Sequence, residues 1–173
     1  MDIRTEVIDN FLDKQQFDCL KKKIVFSDLP YELTKKVAGY EGSIINETPH
    51  WYWYGIHVLY KENEPASEAF EIVKPLIEKI VQLGYGFGFI RAKVNFYPYT
   101  ETVYEHGPHI DYDFPNYGAV FSLNTCDGFT RMPDGSKVES VENRIVFFDS
   151  SKPHNSSTTS NASGRFNINL NFR

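Results

Sequence analysis

Residues 165–172 read Arg-Phe-Asn-Ile-Asn-Leu-Asn-Phe. Phe166, Ile168, Leu170 and Phe172 alternate without a break with Arg165, Asn167, Asn169 and Asn171. Successive side chains of a strand point to opposite faces, so this segment is a strand with two unlike environments. Either the polar face meets water, or it lines an enclosed lumen. Working upstream to Ile90, short β-type runs separated by turn residues are expected near 90–97, 108–113, 117–124, 128–132, 137–140 and 144–149. Pro133-Asp134-Gly135 is a hairpin turn signal. The polar stretch 155–164, NSSTTSNASG, reads as a loop joining two core strands.

The first half of the chain carries helical patterns instead. After a short strand or lead-in over 2–12, Asp13 can cap a helix, and Gln16 completes a capping-box pattern. Phe17, Leu20 and Ile24 then recur at helical spacing. A second helix is expected within 64–83, with Phe70, Val73, Ile77 and Ile80 as its apolar stripe, Pro75 as a kink and Gly84 as its terminator. Residues 27–50 read as irregular, with Pro30, Gly39 and Gly42. Residues 50–60, HWYWYGIHVLY, favour a strand. Trp51, Trp53 and His57 could line the mouth of a site there, although packing in or over the core is the favoured reading. GYGFGF, residues 84–89, lacks the endings of phosphate-binding and dinucleotide-binding loops.

The size suits one domain over 1–173, with 1–89 as helical support and lid region and 90–173 as a strand-built core. A net charge of −5 argues against a nucleic-acid backbone as the main partner. Lys21-Lys22-Lys23 reads as a solvated helix face. There is no apolar run of membrane-spanning length and no signal-peptide pattern. Cys19 and Cys126 make no disulfide framework, so a reducing cytoplasm is the default location. On that location the glycosylation-like triplets Asn46-Glu47-Thr48 and Asn155-Ser156-Ser157 carry no meaning.

The candidate chemistry lies in Pro108-His109-Ile110-Asp111, with His154 and Arg165 downstream. On a strand, His109 and Asp111 would point to one spot. Two imidazoles and a carboxylate can hold one face of an iron ion and leave the other open. Arg165 offers a planar fork for a carboxylate. Taken singly, His109 and Asp111 could be an ordinary strand pair and His154 a loop histidine. His106 and Asp113 are local competitors, with Asp113 placed to orient a ligand.

The ordered set His109-x-Asp111, His154, Arg165 resembles the Fe(II)- and 2-oxoglutarate-dependent dioxygenases. From Arg91 to Arg173, the phrases YPYTETVYEHGPHIDYD, FSLNT and ENRIVFFDSSKPHNSS are most similar to the prolyl-4-hydroxylase-like branch, including its small phage and bacterial members. The resemblance implies a mainly β fold with flanking helices, a double-stranded β-helix (jelly roll) backed by N-terminal helices. It also favours the lumen placement of the 165–172 polar face. It implies Fe(II) held by His109, Asp111 and His154, 2-oxoglutarate anchored by Arg165, and dioxygen as oxidant. Asn95-Phe96-Tyr97-Pro98 resembles the family's N-x-Y element, which would put Tyr97 with Arg165 on the co-substrate; Tyr99 and Tyr104 are rivals. Asn167 stands where some branches carry a serine, and Ser122 and Asn124 stand where relatives face the cofactor. The implied reaction decarboxylates 2-oxoglutarate to succinate and carbon dioxide and hydroxylates an unactivated C–H of a peptidyl residue or small molecule. Asp111 favours hydroxylation, because related halogenases replace that carboxylate. A nucleic-acid dealkylase of the same superfamily is an alternative, but Asn171 stands where that branch carries a second arginine. A non-catalytic metal-binding jelly-roll module is the other alternative.

Overall fold

The structure is a computed structural model and describes residues 3–35, 37, 50–86 and 88–173. The triplet Asn46-Glu47-Thr48, Gly39 and Gly42 lie outside the described residues, as does Phe87 of the glycine-rich stretch.

Among the described residues, ten strands and two α-helices follow in the order β1 (Glu6–Ile8), α1 (Lys14–Val25), β2 (Glu32–Thr34), a 3-10 turn (His50–Tyr52), β3 (Tyr54–Lys61), β4 (Glu64–Pro65), α2 (Phe70–Gln82), β5 (Phe89–Pro98), β6 (Tyr117–Ser122), β7 (Phe129–Arg131), β8 (Lys137–Glu139), β9 (Ile145–Asp149) and β10 (Gly164–Phe172). The main sheet is antiparallel in the order β1-β9-β6-β10-β5-β3-β2, with β4 paired to β3. Strands β7 and β8 form a second sheet. Single bridges extend it: residues 154–159 pair with His109, Glu105 and Tyr99 on one side and with Arg131 on the other.

The alternation along β10 sorts the two faces of the main sheet. Ile168 and Leu170 join Ala119, Phe121, Ile145 and Phe147 in a core that takes Phe17, Leu20 and Ile24 from α1 and Val73, Leu76 and Ile80 from α2. On the opposite face, Val120, Val146 and Phe148 pack with Met132 under the second sheet. The polar row Arg165, Asn167, Asn169 and Asn171 is also buried there, so it lines the space between the sheets rather than water. This is the jelly-roll arrangement backed by helices that the resemblance implied.

Local signals hold in detail. Asp13 caps α1 by accepting from the Gln16 N–H at 2.9 Å. Helix α2 ends at Gly84, φ +82, with Gly84 N donating to Val81 O and Tyr85 N to Ile80 O. That bonding is a Schellman closure, which favours glycine in the left-handed position. Leu76 rather than Ile77 is the fully buried member of the α2 stripe, and α2 begins at Phe70 because 64–65 pair as a strand. At the β7–β8 hairpin, Asp134 Oδ1 accepts from Ser136 N at 2.8 Å and Gly135 takes φ +85.

Two expectations are corrected and a third is filled in. Residues 108–113 form no strand; only the His109–His154 bridge is made there, because Pro108 cannot donate and the chain must bend to bring Asp111 inward. Residues 155–164 do join the core strands β9 and β10 as a loop, and it is a buried one: Ser156, Ser157, Thr158 and Thr159 are buried, with polar atoms satisfied by bonds such as Thr100 Oγ1–Thr158 Oγ1 at 2.7 Å and Phe129 N to Ser157 Oγ at 2.8 Å. Within 27–50, β2 pairs along β3, a strand too short for periodicity to reveal.

Candidate metal centre and co-substrate cavity

The two histidines are held by main chain before any ligand is considered. His109 N donates to His154 O at 3.0 Å, and His154 N donates to His109 O at 2.9 Å. Their rings lie 4.3 Å apart between centroids. His154 is buried, with its Nδ1 3.0 Å from Lys152 O and its ring edge-on to Phe148. Donating from Nδ1 leaves Nε2 with a free lone pair.

Asp111 is pinned at both ends. Its N–H donates to Ser150 O at 2.9 Å. Arg91 Nη2 donates to Oδ1 at 2.9 Å, and Asn171 Nδ2 donates to Oδ2 at 2.9 Å. Asn171 Nδ2 also lies 3.1 Å from Ser150 Oγ, which donates in turn to Asn116 Oδ1. Ligand atoms from His109, Asp111 and His154 all lie within 4.8 Å of one another.

The electrostatics favour the metal-binding protonation states. Burial pushes the Asp111 carboxyl up, but Arg91, His154 and the Asn171 hydrogen bond outweigh it and hold the group at about 2. Burial, then the neighbouring His154, lowers His109 to about 4. Burial also lowers His154. At neutral pH the set is therefore one carboxylate and two neutral imidazoles, the forms that can ligate.

The cavity beside the triad is lined by Lys93, Asn95 and Tyr97 of β5, Val120 of β6, Thr130 of β7, Ser156, and Asn167 and Asn169 of β10. The register sets the rungs: Arg91 opposite Asn171, Lys93 opposite Asn169, Asn95 opposite Asn167 and Tyr97 opposite Arg165. Asn95 Nδ2 donates to Asn167 Oδ1 at 3.0 Å. Tyr97 stacks on Tyr54 with centroids 5.5 Å apart.

Arg165 is 1 % exposed. Its Nη1 donates to Phe129 O at 2.7 Å and Ser157 O at 3.3 Å, and its Nη2 to Thr130 Oγ1 at 2.6 Å. The guanidinium carbon sits 5.5 Å over the Tyr97 ring. Its Nε is buried without a partner, and it forms no ion pair among the described residues. A buried cation without a counter-ion is costly, a cost that an anion beside this wall would relieve. Arg165 itself stands behind Thr130 and Tyr97 rather than on the lining.

The remaining candidates sort by position. Ser122 is buried opposite Asn167 but does not line the cavity. Asn124 bridges Gly164 O and Phe166 N and so serves the backbone. Tyr99 is 51 % and Tyr104 40 % exposed, and neither lines the cavity, whereas Tyr97 does. Asp113 is exposed, and the residues that orient Asp111 are Arg91 and Asn171 instead. His106 is structural: its Nδ1 meets Ser156 Oγ and its Nε2 meets Trp51 O, each at 2.8 Å. His57 is likewise bonded at both nitrogens, to Pro30 O and Ser67 Oγ. Trp51 stacks on Tyr104. Arg91 and Lys93 are site residues that the sequence did not single out, and Asn169 and Asn171, expected on the lumen face, had no task assigned. Their signal was parity, since each lies an even number of positions from Asn95 or Asn167.

No family model and no curated protein matches the sequence. Solved structures do match. A 2OG-Fe(II) oxygenase family oxidoreductase from Burkholderia pseudomallei superposes with TM-score 0.66 at 15% identity, covering 96% of this chain and 84% of that one. A Pseudomonas putida prolyl-4-hydroxylase gives 0.64 at 18%, covering 99% and 93%. A Trichoplax adhaerens prolyl hydroxylase, solved with a hypoxia inducible factor peptide fragment, gives 0.62 at 16%, covering 97% and 82%. The chain shares the fold of these proteins over nearly its whole length.

Proposed function

We propose that the chain is one Fe(II)- and 2-oxoglutarate-dependent dioxygenase domain over 1–173, which hydroxylates an unactivated C–H of a small molecule or peptidyl residue. The observation that carries this reading is the pairing of the His109, Asp111 and His154 donor set with a buried, counter-ion-free Arg165 behind the Thr130 and Tyr97 wall of the same cavity. The donor set suits iron(II) with sites left open, and the orphaned Arg165 Nε suits a carboxylate. The likeness to prolyl hydroxylases supports the same reaction class, and the peptide in the Trichoplax structure supports a peptide as one kind of substrate.

Each residue has a task in this reading. His109, Asp111 and His154 hold the metal, while Arg91 and Asn171 fix the carboxylate's direction. Arg165 binds the distal carboxylate of 2-oxoglutarate, with Thr130 and Tyr97 flanking it. Asn95 and Asn167 offer amides along the co-substrate's length, and Ser122 supports Asn167 from the neighbouring strand. Val120 and the aromatic wall keep water out. Bound iron with 2-oxoglutarate and dioxygen supplies the oxidising power. Asn171 is committed to Asp111, which disfavours the dealkylase alternative at the position where that branch uses arginine.

The test is an anaerobic titration with Fe(II) and 2-oxoglutarate, following the weak visible charge-transfer band of the chelated keto-acid. Saturation at one equivalent is expected. Iron binding without the band would overturn the reading in favour of a non-catalytic metal-binding module.

A further inference from the structure

The cavity carries a cation that the proposed reaction leaves unused. Along the inward row of β5, Arg91 is spent on Asp111, and across the sheet Arg165 is assigned above to 2-oxoglutarate. Lys93 lines the same cavity between them. It makes no hydrogen bond or ion pair among the described residues; its Nζ lies 5.8 Å over the Tyr54 ring. Burial, then Arg91, lowers its ammonium to about 8, against the pull of Asp111. A partly buried lysine without an ion-pair partner carries a cost that an anion would relieve.

Position separates this anion from the co-substrate's distal carboxylate. Lys93 is one rung from the Arg91–Asn171 rung that holds Asp111, and two rungs from the Tyr97–Arg165 rung. At strand rise these are about 7 Å and about 13 Å. A five-carbon diacid anchored at Arg165 would be shorter than the second of these spans and so would not extend to Lys93. Exposure falls along the same row: Arg91 and Lys93 are partly exposed, whereas Asn95 and Tyr97 are buried. Lys93 therefore stands on the open side of the triad, where a second substrate enters. Charge points the same way. The iron and the 2-oxoglutarate dianion offset each other, leaving Asp111 against Arg91, Lys93 and Arg165, a positive surplus in a low-dielectric space.

We infer that Lys93 binds a carboxylate of the primary substrate, so that the molecule hydroxylated is a small organic acid seated between Lys93 and the metal ligands. The inference rests on the dioxygenase reading above and narrows its substrate class. The Tyr54 ring, stacked on Tyr97, supplies the apolar flank against which the acid's carbon skeleton would lie.

The test uses Mn(II)-loaded protein saturated with 2-oxoglutarate, with acetate as the minimal carboxylate and acetamide as its neutral counterpart. Paramagnetic relaxation of the methyl protons reports binding near the metal. Lys93→Met keeps an unbranched side chain of similar length and removes the charge; Lys93→Arg keeps the charge. Saturable relaxation of acetate but not acetamide is expected in the wild type. Acetate affinity should fall at least fivefold in Lys93→Met and stay within twofold in Lys93→Arg. Affinity for 2-oxoglutarate, read from the iron charge-transfer band, should change less than twofold in both. Acetate bound equally by Lys93→Met, acetamide bound as well as acetate, or no acetate bound by the wild type would overturn the inference. A tenfold loss of 2-oxoglutarate affinity in Lys93→Met would also overturn it, by placing Lys93 on the co-substrate. If 2-oxoglutarate binds none of the proteins, the dioxygenase reading fails by itself. The acetate contrast without co-substrate then decides whether Lys93 is an anion site.

Discussion

His109 and His154 are partners in a two-bond antiparallel bridge, each N–H donating to the other's carbonyl at 3.0 and 2.9 Å. Two proposed ligands distant in sequence are thus spaced by backbone, so a metal would enter a formed site. Anaerobic Fe(II) should leave the far-UV circular dichroism unchanged while raising Tm. At a hundredfold excess over Kd the gain is about 2.7 kcal/mol, which is several degrees for a chain of this size. Folding only on metal addition would contradict it.

Asp111→Ala and His154→Ala should abolish iron-dependent turnover while preserving most of the fold. Arg91→Gln is more discriminating. It leaves all three ligands in place but frees Asp111 Oδ1, and iron affinity should fall roughly 10–100-fold. Metal competition with a chromogenic chelator reads this directly. Unchanged affinity would show that Asn171 alone suffices.

Arg165→Lys retains charge but loses the fork that reaches Phe129 O, Ser157 O and Thr130 Oγ1. Apparent 2-oxoglutarate affinity should drop roughly 10–100-fold, equivalent to about 1.4–2.8 kcal/mol, with iron affinity little changed. Arg165→Ala should weaken co-substrate binding further. A co-substrate affinity that did not move in either variant would remove Arg165 as the anchor.

His106 gives a pH signature. Burial, outweighing its bonds to Trp51 O and Ser156 Oγ, lowers it from 6.5 to about 4. Between those values the unfolded chain binds the proton and the folded chain does not. Stability therefore rises with pH across the window and is lost as pH falls from 6.5 toward 4, by up to about 3 kcal/mol. His109 and His154 act in the same direction in metal-free protein. Urea midpoints from pH 4 to 7 should slope less steeply for His106→Gln than for the wild type.

Much of this was legible because parity is a strong code. The alternation at 165–172 encodes a two-faced strand, and the H-x-D with its distal His names three residues that meet. Asp13 and Gly84 likewise mark helix ends through local chemistry. What stayed hidden depends on distant partners. Nothing local in Pro108–Asp111 says that His109 pairs with His154 through a single bridge. The buried hydroxyls of 156–159 look solvated in sequence because their partners, Thr100, Phe129 and Tyr104, lie in other segments. Arg91 and Lys93 carried the right parity but look like ordinary strand-surface charges until β10 is laid against them.

Strand order also bears on synthesis. Strand β10 lies between β5 and β6 in the main sheet, although the other strands among the described residues precede it. A nascent chain ending before Gly164 already contains His109, Asp111 and His154, but not Asn171, which holds Asp111, nor Arg165. Its sheet is split down the middle into two halves with raw edges, the kind of surface that invites pairing with another chain. Vectorial emergence thus makes the central strand a late clasp. Ribosome-arrested chains should gain protease resistance abruptly when residues 164–172 clear the exit, and bind metal tightly only from then on.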